Sequence, residues 1–267
     1  MDIIEKFQKR KNKRAPKELV VKCAYFLTPN MRRITLQGDA LSHFPAEAEG
    51  ANVKLLFQQN SLGKPATAMR TYTIAQQRSA LNEIDIDFML HRSKGGLVHG
   101  IATPWALSAK PGDNISLFGP GLAQHVNIDA DYFLLAADMT ALPALKVSLK
   151  TLPKRAKGMV FVEILSNHDK QELPLPENIQ VVWVINNEPG SDASPLYHAI
   201  KKTGSQNGCI AAWIACEFKT MKKIRNYLKI VRSIEKTHIY ISSYWKKGDT
   251  EEQHKLIKKI DLASNRT

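Results

Sequence analysis

The feature that most constrains this chain is a change of hydrophobic rhythm at Gly119-Pro120-Gly121. Before it, short β-like segments alternate with turn signals. The segments are Leu19–Leu27, Met31–Leu36, Ala51–Phe57, Arg70–Ile74, Ile84–Leu90 and Ile115–Phe118. The breaks fall at Pro29-Asn30, Gly38-Asp39, Asn60 to Gly63 and Pro111-Gly112-Asp113. Short strands at fairly even spacing predict a small antiparallel barrel, interrupted by one helical patch from about Leu97 to Leu107. After the break the runs Tyr132–Ala137, Met159–Leu165, Ile179–Ile185, Cys209–Ala215 and His238–Ile241 are compact and apolar, as in strands buried on both faces. Helical stretches separate several of them, as βαβ units require. The expected architecture is an antiparallel β-barrel followed by a parallel α/β sheet. Its expected parts are a basic lead-in over 1–16, the barrel over 17–122, and an α/β domain with a C-terminal helix over 123–267.

Local signals place the helices. Thr140 is expected to cap one whose apolar positions include Leu142, Leu145 and Leu149, and Ser194-Pro195 pairs a cap with a proline at the first helical position. Phe218, Met221, Ile224 and Leu228 form a buried stripe on a third.

The net charge of +13 first suggests a nucleic-acid partner. Its distribution argues otherwise. Residues 1–22 carry eight Lys/Arg against three Asp/Glu, residues 219–267 thirteen against five, and the 196 residues between are balanced at seventeen each. Basic ends on a neutral body suit a tail, a nucleic-acid arm, or one wall of a pocket for an anion. No apolar run approaches the ~20 residues that span a bilayer, and the start does not read as a secretory signal. Cys23, Cys209 and Cys216 are few and unpatterned, which favours a reducing cytoplasm and gives no metal-ligand spacing.

Several stretches carry candidate chemistry. In Arg70-Thr71-Tyr72-Thr73-Ile74, strand alternation sets Tyr72 and Ile74 on one side and Thr71 and Thr73 on the other. A guanidinium and hydroxyls suit a diphosphate, and the ring suits a flat heterocycle. On these residues alone, a barrel strand with one snorkelling Arg is the simpler reading. Asp87-Phe88-Met89-Leu90-His91 closes a strand, and the following Gly95-Gly96-Leu97-Val98 turn offers N–H groups to an anion or is simply a hairpin. Asp138-Met139-Thr140-Ala141 follows the first α/β strand, where doubly wound sheets bind ligands, yet the chain has no GxGxxG fingerprint in that context. Ala215-Cys216-Glu217 occupies the equivalent position after the fourth strand. There Glu217 reads equally as a first-turn acid and Cys216 as a small filler. Tyr244 and Trp245 stand beside Lys246 and Lys247, just before a terminal helix begun by Asp249 or Thr250.

Taken in order, Arg70-Thr71-Tyr72-Thr73, Asp87 to His91, Pro111-Gly112-Asp113, Asp138 to Pro143, Trp213 to Glu217 and Tyr244 to Gly248 resemble the siderophore-interacting proteins. These are flavin-dependent ferric-siderophore reductases of the ferredoxin-reductase-like superfamily, and the likeness covers roughly 17–258. The resemblance implies an FAD-binding barrel and an NAD(P)H-binding domain. It implies FAD contacts at Arg70, Thr71, Tyr72, Thr73, Asp87, Phe88, His91, Gly96, Leu97, Val98 and Trp245. It implies nicotinamide-nucleotide contacts at Asp138, Thr140, Ala141, Cys216 and Glu217, and siderophore contacts at Lys54, Lys246 and Lys247. Met139 and Cys216 depart from the acidic residue and the glycine common in the family at these places. The loop Ser166 to Lys170 lacks an Arg suited to a 2′-phosphate, which favours NADH over NADPH.

The expected activity is that of a cytoplasmic NAD(P)H-dependent flavin oxidoreductase, a ferric-siderophore reductase that releases Fe(II). Ferredoxin stands as an alternative donor, and neither a nucleic acid nor membrane insertion is expected. The competing readings are a free-flavin or ferredoxin reductase, which shares the fold, and a basic nucleic-acid-binding protein, which needs no cofactor.

Overall fold

The computed structural model describes residues 15–61, 64–91, 100–204 and 206–264. The chain divides into two compact units, one ending at Ala123 and one beginning at Gln124.

The first unit is a closed barrel with strand order β1-β2-β5-β4-β3-β6. Its strands are β1 (Lys17–Thr28), β2 (Met31–Gln37), β3 (Asn52–Ser61), β4 (Lys64–Arg78), β5 (Glu83–Met89) and β6 (Asn114–Phe118). All neighbours are antiparallel. Closure removes unpaired edges, and alternate residues then fill the interior: Val53, Leu55 and Phe57 from β3, Ile34 and Leu36 from β2, and Ile84, Ile86 and Phe88 from β5 are buried in one cluster. The short helix α1 (Ala102–Ser108) supplies Ala106 to that core, with Trp105 packed against it. Leu97, where the predicted helix begins, lies outside the described residues. β4 is much longer than the expected Arg70–Ile74. It pairs with β3 from Asn52↔Thr73 to Ser61↔Lys64, through a Pro-containing stretch that reads locally as a break.

The second unit is a five-stranded parallel sheet of order β11-β10-β7-β8-β9. Its strands are β7 (Tyr132–Asp138), β8 (Lys157–Ile164), β9 (Asn178–Ile185), β10 (Ile210–Glu217) and β11 (Ile239–Trp245). The central strands β7 and β10 are buried along almost their whole length, as a covered parallel sheet requires. Gly158 on β8 lies so close to β7 that a Cβ there would stand 2.0 Å from the Phe133 carbonyl oxygen. Helices α2 (Leu142–Lys150), α3 (Pro195–Lys201), α4 (Phe218–Asn226) and α5 (Glu251–Ser264) complete the unit. Met221, Ile224 and Leu228 enter its core from the stripe read in the sequence.

Two expected caps are differently used. Thr140 does not cap α2, because its N–H and hydroxyl both donate to Asp138 Oδ1, at 2.9 and 2.5 Å. Ser194 stands at the cap position of α3 with φ 43° but makes no capping bond. Its Oγ instead accepts from Thr220 Oγ1 at 3.3 Å and Lys223 Nζ at 3.1 Å.

Candidate functional site

In the barrel, strand pairing decides which groups β4 presents together. Arg70 lies opposite Leu55, Tyr72 opposite Val53, and Thr71 opposite Lys54. Directly opposed residues share a face, so Arg70 and Tyr72 stand with the core-facing residues, and Thr71 with Lys54 on the other side. Tyr72 is half-buried, its ring centroid 4.4 Å from that of Phe88, which packs in turn 5.6 Å from Trp105. This stack gives Tyr72 a rigid backing. Arg70 Nη1 donates to the Met69 carbonyl at 2.7 Å, tying the guanidinium to its own strand.

The other barrel residues predicted to contact FAD are placed differently. Thr73 is buried beyond Tyr72 and Phe88 lies in the core. The carboxylate of Asp87 faces Arg33, which donates to both of its oxygens at 2.6 and 2.8 Å. That pair belongs to a charge ladder on the barrel wall. Arg78 donates to Glu83 at 2.8 Å and to Asp85 at 2.6 and 2.9 Å, Lys22 pairs with Glu83, and Thr35 donates to Asp85 at 2.8 Å. His91 follows β5, and its N–H donates to Thr103 Oγ1 at 3.3 Å. Gly96, Leu97 and Val98 lie outside the described residues.

In the sheet unit, strand register brings the C-terminal strand ends together. Asp138 on β7 is in register with Glu163 on β8, and Glu217 on β10 with Trp245 on β11. Asp138 is buried, and its carboxyl accepts from the Thr140 N–H and hydroxyl, from the indole Nε1 of Trp245 at 2.8 Å, and from the Ala141 N–H. Burial pushes its carboxyl up, against the pull of those donors. Trp245, predicted at the flavin, is thus pinned to the first strand of its own sheet. Ala141 is buried one turn from Asp138, and its N–H donates to the Asp138 carbonyl at 3.1 Å.

Glu217 caps α4, with Oε2 accepting from the N–H groups of Lys219 at 2.7 Å and Thr220 at 3.1 Å. Its Oε1 receives the Lys247 N–H at 3.4 Å, which draws the end of β11 onto β10. Cys216 is buried in the core, and burial, reinforced by the neighbouring Asp138, Glu163 and Glu217, holds its thiol well above the ordinary range. It is an inert filler. Lys246 is spoken for by both oxygens of Asp249, at 2.9 and 3.0 Å, whereas the Lys247 side chain is exposed.

Two residues at this edge carried no sequence signal. Glu163 sits inside an apolar run and looks like part of it, yet the residue is 5% exposed and its carboxyl is pushed up to about 7 by burial, with the Asp138 charge adding to it. Asn186 and the Leu196 N–H approach that carboxyl, but Oε2 has no partner among the described residues. Gly190, at φ 75°, lets the loop after β9 close onto the same edge: a Cβ there would meet Lys247 Cβ at 2.8 Å and Glu217 Cγ at 3.3 Å. No group of His, Cys, Asp and Glu suited to holding a metal occurs among the described residues.

A closed antiparallel barrel followed by a parallel five-stranded sheet is a fold this chain shares with ferredoxin-NADP+ reductase structures. The chain superposes on a ferredoxin-NADP+ reductase from Plasmodium falciparum with a TM-score of 0.62 at 15% identity, over 87% of this chain and 98% of that one. Its family is narrower: this chain belongs to the siderophore-interacting proteins. Residues 130–248 match the siderophore-interacting protein family, and residues 20–68 and 61–124 match the siderophore-interacting FAD-binding domain. It is 31% identical to the ferric vibriobactin reductase ViuB of Vibrio cholerae, over 86% of this chain and 89% of that protein. The siderophore-interacting protein SipS of Aeromonas hydrophila superposes with a TM-score of 0.77 at 26% identity, over 91% of this chain and 98% of that one.

Proposed function

We propose that this chain is a ferric-siderophore reductase that uses FAD and a nicotinamide nucleotide. The observation that carries the reading is the likeness to ferric vibriobactin reductase along nearly the whole chain, with the flavin-type residues Arg70, Thr71 and Tyr72 clustered on β4 of a closed barrel. The donor set fits the group: a guanidinium for phosphate oxygens, on the same face of β4 as an aromatic ring already braced by Phe88. When bound, FAD supplies the conversion between a two-electron donor and a one-electron metal acceptor.

The protein's part is to bind and orient. Arg70 holds the phosphates, and Tyr72, on the same face of β4, aligns the ring system. Asp138 fixes Trp245 through the indole N–H, while Glu217 fixes the α4 start and the Lys247 backbone. These fixed groups form the edge where the nicotinamide nucleotide binds, with Thr140 and Ala141 shaping its turn. On the sheet unit, Lys247 attracts an anionic ferric chelate, and Lys246 contributes less because Asp249 neutralises it. No general acid, base or nucleophile is required of the protein.

NADH is the favoured donor, since the loop after β8 offers Ser166, Asn167 and His168 but no Arg to a 2′-phosphate. The test is steady-state turnover with NADH and NADPH against a ferric siderophore, a ferredoxin and free flavin, with a ferrous chelator as reporter. Preferential reduction of the siderophore supports the reading. Turnover confined to ferredoxin or free flavin would replace it with one of the competing reductases.

A further inference from the structure

At the opposite, N-terminal edge of the second unit's sheet lies a cavity of about 380 Å³. Its walls include Cys209, Ile210, Val231, Arg232, Ile234 and His238. The strands between this edge and Asp138, Glu217 and Trp245 are seven or eight residues long, which separates the two regions by ~20 Å.

The wall is built by an unusual turn. Residues Tyr227–Val231 form a π-helical turn, closed by the Arg232 N–H on the Tyr227 carbonyl at 3.0 Å. Single π-turns concentrate at functional sites because they re-aim side chains out of the α-helical pattern. Ser233 follows at φ 52°, a left-handed conformation that an L-residue holds only where its surroundings enforce it.

This turn leaves Arg232 with its guanidinium above the Tyr227 ring, 5.9 Å from the centroid, and with Nη1 and Nη2 shielded from solvent and without an acceptor among the described residues. Two other groups of the wall, His238 and the Cys209 N–H, are engaged. His238 Nε2 meets the Asp129 carbonyl at 3.0 Å and its Nδ1 the Thr237 hydroxyl at 3.1 Å. The Cys209 N–H donates to Asp131 at 2.8 Å. Glu235 is 80% exposed and stands 4.0 Å from His238 Nδ1. A cation removed from water with two nitrogens unmatched is costly unless an anion completes it.

We propose that this cavity is a second binding site, for a small organic monocarboxylate, with Arg232 as its anchor. The two terminal nitrogens of a guanidinium match the two oxygens of one carboxylate. The rest of the wall is mixed, with Ile210, Val231 and Ile234 beside Gln206, Ser233 and Glu235, and the Glu235 carboxylate disfavours a second negative charge on the ligand. Binding includes a turn of the guanidinium from the Tyr227 ring toward the cavity.

The test uses the full-length, FAD-loaded protein, titrated with benzoate, acetate and inorganic phosphate and followed by thermal shift and calorimetry. Saturable benzoate binding, tighter than that of phosphate and weakened at least tenfold by Arg232→Gln, is expected. Arg232→Gln should also raise Tm in the absence of any anion, since it removes the unmatched charge. Arg232→Lys, which keeps the charge but not the fork, should lose the preference for carboxylate over phosphate. NADH-driven reduction should be unchanged in both variants. Absence of saturable binding, equal binding by Arg232→Gln, or tighter binding of phosphate would overturn the proposal.

Discussion

At the scale of single residues, the C-terminal edge of the sheet is organised by buried carboxyls with different tasks. Asp138 and Glu217 are saturated with donors and act as fixed points. Glu163 is not, and its carboxyl at about 7, against an ordinary 4.5, has a thermodynamic consequence. The folded state holds this proton more tightly than the unfolded chain does, so ionisation progressively costs stability as pH rises from about 4.5 to about 7, and the full cost is present above that. Glu163→Gln should therefore stabilise the protein by ~1–3 kcal/mol at pH 8 and leave it unchanged at pH 4, below both values. Denaturant titrations at the two pH values measure this, and a variant no more stable at pH 8 would show that Glu163 is ionised without penalty. Glu163 was illegible in the sequence because a buried acid inside an apolar strand has no local signature. Only the register with Asp138 exposes it.

At the scale of elements, several polar attachments hold the terminal helix α5. Lys258 Nζ donates to Ser242 Oγ and to the Ser243 carbonyl on β11, each at 2.9 Å. Arg225 on α4 donates to both oxygens of Asp261 on α5, at 2.5 and 2.7 Å, with both side chains nearly buried. Arg225→Ala, which removes this bidentate partner from the Asp261 carboxylate, should cost ~3 kcal/mol, and the pair Arg225→Met with Asp261→Leu should recover most of it. Equal losses in the single and double variants, measured by urea unfolding, would show that shape rather than charge holds the helix.

A further attachment is His254, whose Nε2 lies 2.8 Å from Ser243 Oγ on β11. Burial, with Lys258 beside it, lowers its pKa to about 4 from an ordinary 6.5. Here the unfolded chain binds the proton more readily, so this contribution is whole above about 6.5 and is lost as pH falls toward 4. His254→Gln should flatten the decline in Tm across that range, and an unchanged slope in a pH series would assign the decline to other groups.

Element types were largely readable in advance, because periods of two and of 3.6 dominate long segments. Extents and caps were less so. Lys64 to Ala68 joins β4 through pairing with β3 that no local propensity announces. Thr140 spends its hydroxyl on Asp138, a choice made by the neighbouring strand end and not by the helix it precedes.

At the scale of the whole molecule, the family is established by sequence and fold together, while the residue roles rest on how β4 and the sheet's C-terminal edge are built. The motif order was visible in the sequence because the motifs at Asp138, Glu217 and Trp245 sit at the C-terminal ends of parallel strands, where the fold concentrates chemistry. The stretch from Arg70 to Thr73 lies within β4 and shows as a strand-like alternation. What each side chain touches was not visible: Asp87 turns to Arg33 and Lys246 to Asp249, pairings set by three-dimensional neighbours. Lys247→Ala should accordingly raise KM for an anionic chelate about threefold while Lys246→Ala changes it less, and raising salt from 0.05 to ~0.5 M should shrink the difference. Equal effects of the two variants in steady-state assays would place Lys246 outside its ion pair during turnover.

The most direct measurement is the visible spectrum of the purified protein and its Arg70→Ala variant, each offered FAD and then reduced anaerobically with NADH. Wild type should retain a yellow flavin that NADH bleaches and a ferric siderophore restores, and Arg70→Ala should bind FAD at least ~10-fold more weakly, as loss of a charge-assisted phosphate contact implies. A folded wild-type protein that stays colourless in the presence of FAD would contradict the account.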